Sequence, residues 1–251
     1  MFSFLKKNTP KYSDYGVLGF DFHSHLIPGI DDGADSLETS LSLIKQLNDL
    51  GYQRLITTPH VISDLYPNTS ADIKARMEAL QQAVQKAGIP VEIDAAAEYY
   101  MDETFNNLIT EDQELLSLPG KRILVEMSFV SAPPGLFHYI FRLQTRGYRP
   151  ILAHPERYLF LKKDFSLYQR LKEYGCEFQL NLLSLTGHYG APVMEAAYKL
   201  LKNQLIDYAG TDLHHQRHIE LLKQALQDKQ IQRLLAAYPF KNAEMLNPDF
   251  S

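Results

Sequence analysis

Histidine and carboxylate residues that could bind metal ions follow apolar segments of this 251-residue chain. His23 and His25 are separated by one residue, so in an extended segment both imidazoles point to one side and can bind the same ion. A single such pair is weak evidence, but a tight loop with Asp31 and Asp32 follows it. The alternative is that these two aspartates only form a solvated turn before a helix.

Residues of the same kinds follow later apolar segments. They are His60, Glu98, Glu126, His154, Asp212 and His214. Taken alone, a histidine such as His60 is more often a hydrogen-bonded structural residue, and Glu98 can be the first solvated residue after a buried strand. Because six of the seven predicted strands end in such residues, the pattern indicates one shared site.

The apolar segments are short and alternate with amphipathic helices, which predicts an α/β fold. The predicted strands are residues 18–23, 54–58, 91–97, 122–127, 150–154, 177–181 and 206–210. Seven β-then-α units favour a closed or nearly closed parallel barrel, and an open doubly wound sheet is the competing prediction. In a barrel the carboxyl ends of the strands converge at one mouth, where active sites are found.

Four of the candidate residues are carboxylates that would repel one another in a cleft. They are Asp32, Glu98, Glu126 and Asp212. Imidazole and carboxylate ligands without a thiolate favour Mn²⁺, Fe²⁺ or Zn²⁺, and their number implies two or three ions. Such centres usually hydrolyse phosphate esters or amides. Arg157, three residues after His154, favours the phosphate, because a guanidinium suits its oxygens.

Composition excludes several other classes of protein. A net charge of −5 argues against a nucleic-acid surface built on bulk charge, and no apolar run is long enough for a membrane helix. We expect a polar arm at residues 1–16 and one domain at 17–251, without a secretory signal. The single cysteine, Cys176, suits a reducing cytoplasm. Position 182 is Leu, so the thiolate loop of cysteine-dependent tyrosine phosphatases, with its arginine six residues after the cysteine, is absent.

Six segments together resemble a known family. They are HSHLIPGIDDGADSLETSL, TTPH, AEYY, ILVEMS, ILAHPERY and AGTDLHH. These segments resemble the CpsB/CapC branch of the PHP (polymerase and histidinol phosphatase) superfamily, over about residues 17–246. Members of that branch are bacterial manganese-dependent protein-tyrosine phosphatases of capsule and exopolysaccharide operons. The resemblance implies a distorted seven-stranded β/α barrel of the PHP type with a trinuclear metal centre.

The resemblance also implies a role for each matching residue. The first ion would be bound by His23, His25 and Asp212, with Glu98 bridging to the second; Glu126 and His154 would complete the second, and Asp32, His60 and His214 would hold the third. Asp32 is preferred over Asp31 because the family's ligand directly precedes the glycine. Arg157 matches the family's substrate-phosphate arginine. Arg217 is the nearest match to a further family arginine, at a shorter spacing.

Other residues near these motifs have two interpretations. Tyr99, Tyr100, Phe129 and Tyr158 directly follow candidate ligands or the arginine, and they would form either an aromatic collar for a phosphotyrosine ring or part of the core. The segment 64–69 is predicted to be a mobile flap without an assigned role.

The expected activity is hydrolysis of phosphotyrosine with Mn²⁺, in two or three sites, or with Fe²⁺ or Zn²⁺. The resemblance implies an autophosphorylating bacterial tyrosine kinase as the partner and substrate. Two alternatives stay open. One is a small-molecule phosphatase such as histidinol-phosphate phosphatase, and the other is a non-catalytic, metal-stabilised regulatory or binding module.

We predict that activity depends on metal and not on thiol. A chelator should abolish hydrolysis of a chromogenic phosphate ester and added Mn²⁺ should restore it, while Cys176→Ser stays nearly fully active, because no cysteine loop is present. A Cys176→Ser protein that folds and binds metal but cannot turn over the ester would contradict this prediction.

Overall fold

Parallel strands alternate with helices in the computed structural model, which describes residues 14–246. The strands are β1 (Arg54–Thr57), β2 (His60–Val61), β3 (Glu92–Ala95), β4 (Glu98–Tyr100), β5 (Arg122–Glu126), β6 (Arg149–Ala153), β7 (Glu177–Asn181) and β8 (Tyr208–Gly210). The helices are α1 (Leu37–Asp49), α2 (Ser70–Lys86), α3 (Glu103–Thr110), α4 (Leu136–Thr145), α5 (Leu159–Lys163), α6 (Ser166–Glu173), α7 (Ala191–Lys202), α8 (Gln216–Ala225), α9 (Lys229–Ala237) and α10 (Asn242–Met245). Short 3₁₀ turns span Gly16–Leu18, Pro155–Arg157 and Leu182–Thr186.

All strand pairs are parallel. One sheet has the order β2-β4-β5-β6-β7-β8, and the other pairs β1 with β3. The predicted strands 54–58 and 91–97 contain only β1 and β3, and the structure adds β2 and β4, which follow them after two-residue breaks. Within those breaks the two segments stay paired, through hydrogen bonds from Ala96 N to Thr57 O (2.9 Å) and from Glu98 N to Pro59 O (3.1 Å). β1 and β2 together therefore act as one of the seven barrel strands, and β3 and β4 together act as another.

The first predicted strand, 18–23, does not form a regular strand. Asp21 makes an isolated parallel bridge to Leu55, and Ser24 makes another to Leu213. Because the segment pairs with one neighbour at Asp21 and with the other at Ser24, no continuous ladder forms on either side. The two bridges nevertheless join β1 to the residues after β8 and close the ring, so the (β/α)₇ barrel is confirmed and the open sheet is not.

Neighbouring residues of β5 show how the core is layered. Leu124 belongs to a small apolar cluster with Phe22 and Tyr208, whereas Ile123 and Val125 belong to the larger cluster that includes residues of the helices. Since successive strand residues point to opposite faces, the small cluster fills the barrel and the large one lies between barrel and helices. Both layers hold the strand ends in fixed positions.

Four apolar residues at helical spacing form the buried face of α2: Ile73, Met77, Leu80 and Val84. Thr69 and Asp72 form a capping box at its start. In α1, the capping residue is Ser36, whose Oγ accepts from Thr39 N.

The chain is already packed on the barrel at the beginning of the described range. Tyr15 is fully buried, stacks on Tyr52 and donates a hydrogen bond to Leu222 O (2.9 Å). Residues 1–13 of the predicted arm lie outside the described residues, so the boundary at residue 17 stays a prediction. Within residues 14–246, none of the helices combines the length and apolar composition needed to cross a bilayer.

Candidate metal centre

The predicted ligands meet at the carboxyl ends of the barrel strands. They are His23, His25, Asp32, His60, Glu98, Glu126, His154, Asp212 and His214. Six of these nine residues line one cavity of about 600 Å³, together with Arg157. The other three, His23, His25 and Glu98, are fully buried beneath it. The ends of different strands thus deliver all nine residues to one mouth, as a parallel barrel requires.

The candidate ligand atoms form four overlapping groups, each with its atoms within 4.8 Å of one another. The groups are His23, His25 and Glu98; His60, Glu98 and Glu126; His23, His154 and Asp212; and His25, Asp32, His60 and His214. Because neighbouring groups share residues, they describe one compact cluster and not separate sites.

Glu98 lies at the centre of this cluster. Its Oε2 is 3.3 Å from His23 Nε2 and 3.2 Å from His60 Nδ1, and its Oε1 is 3.2 Å from His154 Nε2. Glu126 approaches His60 more closely, at 2.9 Å from Nδ1. The structure therefore groups Glu126 with His60 and Glu98, whereas the resemblance groups it with His154.

His60 lies between two of the groups. Its Nδ1 faces Glu98 and Glu126, and its Nε2 is 3.4 Å from Asp32 Oδ1. The same Asp32 oxygen is 3.5 Å from His214 Nε2, and about half of the Asp32 side chain is exposed. Asp32 is thus the outermost candidate ligand, on the solvent side of the cluster.

Several buried ligand atoms have no hydrogen bond within the described part of the chain. They are Nε2 of His23 and His25, Nδ1 of His60 and both carboxylate oxygens of Glu98. A buried polar atom without a partner is costly, and here all of these atoms converge on one small volume. Divalent ions would satisfy them, and the imidazole and carboxylate donor set suits Mn²⁺, Fe²⁺ or Zn²⁺. The residues fit a metal centre.

Three contacts orient the histidine rings so that Nε2 faces the cluster. His25 Nδ1 is 2.8 Å from Asp31 Oδ2, His23 Nδ1 is 2.8 Å from Gln179 Oε1, and His214 Nδ1 is 2.9 Å from Asp212 O. An Nδ1–H that donates to an oxygen leaves the Nε2 lone pair free for a metal. Asp31 therefore orients the His25 ring from the side away from the cluster, whereas its neighbour Asp32 faces the cluster.

Electrostatics explain why cations are needed at this point. Burial alone would lower the pKa of His23, but the carboxylates of Glu98 and Asp212 raise it to about 9. Burial would raise the pKa of Glu98, yet His23 and His60 hold it well below its usual range. The carboxylates thus require positive charge between them, and divalent ions would supply it without protons on the ligand nitrogens.

Two candidate ligands have a left-handed backbone. His154 has φ 37° directly after β6, and Asp212 has φ 50° shortly after β8. Such a conformation costs a non-glycine residue about 1–3 kcal/mol and occurs often at functional sites. Here it turns the chain sharply at the barrel mouth while both side chains stay inside it.

Arg157 lies beside the cluster and lines the cavity. Its Nη1 donates to Asp212 Oδ2 (2.9 Å), an oxygen that also accepts from Asn181 Nδ2 (2.8 Å). The guanidinium carbon is 4.5 Å from the Phe129 ring centre and 4.4 Å from that of Tyr189. A side chain held between two rings at a metal cluster can bind an anion there. Arg217, in contrast, is exposed and does not line the cavity.

The aromatic residues singled out by sequence have different surroundings. Tyr99 and Tyr158 are buried, and their hydroxyl oxygens accept from Leu116 N and Met127 N. Tyr100 and Phe129 line the cavity. The first two therefore belong to the core, and the last two face the site.

Sequence reasoning missed Gln179 and Asn181, which hold His23 and Asp212 in place. Both are fully buried polar residues of β7 and alternate with Phe178 and Leu180. That alternation is the signal, because a strand covered on both faces should be apolar throughout.

Comparison with known proteins identifies the family of the chain. The sequence profile described as "Capsular polysaccharide synthesis, CpsB/CapC" matches residues 19–241. The chain belongs to the CpsB/CapC family.

Among its CpsB/CapC relatives, the tyrosine-protein phosphatase YwqE of Bacillus subtilis is 29% identical over 199 residues, which cover 78% of this chain and 77% of YwqE. The tyrosine-protein phosphatase CpsB of Streptococcus pneumoniae is 25% identical over 198 residues, covering 78% of this chain and 79% of CpsB. A chain from the crystal structures of these two metal-dependent tyrosine phosphatases superposes with a TM-score of 0.74 at 27% identity, covering 86% of this chain and 94% of that one. The Listeria monocytogenes lactonase Lmo2620 shares only the fold, with a TM-score of 0.54 at 12% identity, covering 94% of this chain and 93% of that chain.

We predict that Glu98→Ala reduces bound metal more than Asp32→Ala. Glu98 contributes to two of the four ligand groups and lies at their centre, whereas Asp32 contributes to one at the edge. Metal content per chain, measured by mass spectrometry after dialysis, should fall further in Glu98→Ala. The matched control Glu78→Ala changes an exposed residue of α2 and should keep the wild-type content. Full metal content in Glu98→Ala would refute its central position.

Proposed function

We propose that this chain is a metal-dependent protein-tyrosine phosphatase. The observation that carries the proposal is the position of Arg157, which lies within one cavity against a buried cluster of metal-ligand groups. The cluster is suited to hydrolysis, and the guanidinium is suited to a phosphate. The named activities of the YwqE and CpsB relatives support the same reaction.

The proposal includes the metal sites. The assignment of ions follows the family resemblance, although Glu126 lies nearer His60 in the structure. His23, His25, Glu98 and Asp212 would hold a first ion, and Glu98 would bridge it to a second that Glu126 and His154 complete. Asp32, His60 and His214 would hold a third. We propose Mn²⁺ as the ion, which when bound lowers the pKa of water and neutralises charge on the phosphate.

The protein groups position the substrate. With Nη1 on Asp212, the Arg157 guanidinium keeps further N–H donors for phosphate oxygens, and the Phe129 and Tyr189 rings hold its plane. Asn181 fixes the same Asp212 oxygen, so Asp212 Oδ1 stays directed at His23 and His25. The tyrosine leaving group has a pKa of about 10 and needs less help from a general acid than an alkoxide.

The wider biological role belongs to the proposal as well. We propose that the phosphotyrosine is carried by an autophosphorylating bacterial tyrosine kinase that controls capsule or exopolysaccharide synthesis, and that the protein acts in the cytoplasm. The family description supports the pathway. The single cysteine is buried, with its pKa raised to about 12 by burial, which suits a reduced thiol without a catalytic role.

A small phosphate ester such as histidinol phosphate is the competing substrate. Among the residues that line the cavity, Arg157 is the one lysine or arginine. The described mouth therefore offers one permanent cation, which suits the single phosphate of either substrate, and the named activities of the YwqE and CpsB relatives favour phosphotyrosine. The test compares kcat/KM for a phosphotyrosine peptide and for histidinol phosphate with Mn²⁺ present. The proposal expects the peptide to be the better substrate, and a clear preference for histidinol phosphate would overturn it.

We predict that Arg157→Ala retains its metal but loses most of its activity. Charge-assisted hydrogen bonds are worth about 1.5–3 kcal/mol each, so kcat/KM should fall roughly ten- to several-hundred-fold. Asn181 still donates to Asp212 in this variant, so Asp212 should keep its position as a metal ligand. Arg157→Lys should recover part of the loss, because an ammonium lacks the planar fork.

The control for this prediction is Arg76→Ala, which removes an exposed arginine of α2 and should have wild-type kinetics. Steady-state kinetics on metal-analysed protein provide the measurement. A metal-replete Arg157→Ala with wild-type kcat/KM would remove Arg157 from substrate binding.

A further inference from the structure

Three exposed apolar side chains surround the metal cavity. Leu65, Phe129 and Val130 are 69%, 45% and 84% exposed, and all three line the cavity. We call these three residues the apolar rim. Exposed apolar side chains that are clustered at a functional mouth, and not scattered, indicate a contact surface.

Leu65 is held in place by a short hairpin. Ile62 and Tyr66 exchange two backbone hydrogen bonds of 2.9 Å each, and Leu65 lies within the turn between them. Ser63 N donates to Asp102 Oδ2, and the Tyr66 ring stacks on His60 at 5.7 Å. The segment predicted as a mobile flap is therefore bonded to its surroundings, and it presents a leucine to solvent beside a candidate ligand.

Phe129 and Val130 lie on the loop after β5. The Phe129 ring stacks on Tyr158 at 5.4 Å and lies over the Arg157 guanidinium, yet almost half of the residue stays exposed. This position places the ring beside the group that would bind the phosphate. Val130 follows directly and is the most exposed of the three rim residues.

The rim has almost no charge of its own. Residues 128–135 (SFVSAPPG) contain no charged side chain, and residues 61–68 (VISDLYPN) contain only Asp64. An acidic side chain next to the phosphotyrosine would meet no cation from these two loops, and it would leave the apolar surface exposed. An apolar side chain would cover that surface instead.

We infer that the apolar rim selects phosphotyrosine sites that have an apolar residue next to the phosphotyrosine. The inference rests on the proposed phosphatase function and adds the sequence preference of its substrate. While the phosphate lies against Arg157, the neighbouring peptide side chain packs on Leu65, Phe129 and Val130.

The test uses two phosphotyrosine peptides that differ only in having leucine or glutamate on either side of the phosphotyrosine. The manganese-loaded wild-type protein should prefer the leucine peptide by about tenfold in kcat/KM, the scale of a small apolar contact. Leu65→Ser, Phe129→Ala and Val130→Ser should each reduce that preference, chiefly through KM. The control Phe141→Ala removes a 56% exposed phenylalanine of α4 outside the cavity and should keep the preference.

A gain-of-function variant makes the test independent of lost stability. Val130→Lys places a cation on the rim and should raise kcat/KM for the glutamate peptide. Equal use of both peptides by the wild type, or unchanged selectivity in Val130→Lys, would overturn the inference. If the rim variants keep the wild-type selectivity between the two peptides but alter self-association of the protein, the inference is wrong and the rim is a contact between two copies. If the wild type hydrolyses neither p-nitrophenyl phosphate nor the peptides, the proposed function itself is wrong.

Discussion

Mutual repulsion among buried carboxylates is the constraint on which the site depends. Glu98 and Asp212 are almost completely buried, and Glu126 is 5% exposed. Glu98 lies near His23 together with Asp212, and near His60 together with Glu126. Such a cluster is stable only with positive charge between its members. Protons on the imidazoles supply part of that positive charge, as the raised pKa of His23 indicates. Divalent ions bound by the same side chains would supply it without moving those side chains.

The barrel provides the rigidity that this arrangement requires. Hydrogen bonds from Asp212 N to His23 O and from His25 N to Leu213 O join the first segment to the residues after β8, where the ring closes. The same closure brings His23, His25 and Asp212 together, although almost 190 residues separate them along the chain. Closure of the ring thus also assembles the site, and the left-handed backbone of His154 and Asp212 lies within that site.

Much of this could be predicted from the sequence, since apolar segments ending in histidine or carboxylate locate the strand ends directly. The irregular pairing of the first segment could not be predicted from the sequence. Asp21 and Ser24 pair with different neighbours, and this depends on closure of the ring and not on local propensity. The grouping of Glu126 with His60 depends on distances across the mouth, which spacing along the chain does not contain. Similarly, the role proposed for Leu65 depends on the position of the 62–66 hairpin, which lines the cavity through Ile62, Leu65 and Tyr66.

The most direct test of the account is anomalous X-ray scattering at the manganese edge from crystals grown with Mn²⁺ and phosphate. Manganese peaks are expected among the four overlapping ligand groups, with Glu98 coordinating more than one ion and phosphate oxygens between the ions and Arg157. Manganese bound only outside these groups, or phosphate bound away from Arg157, would contradict it.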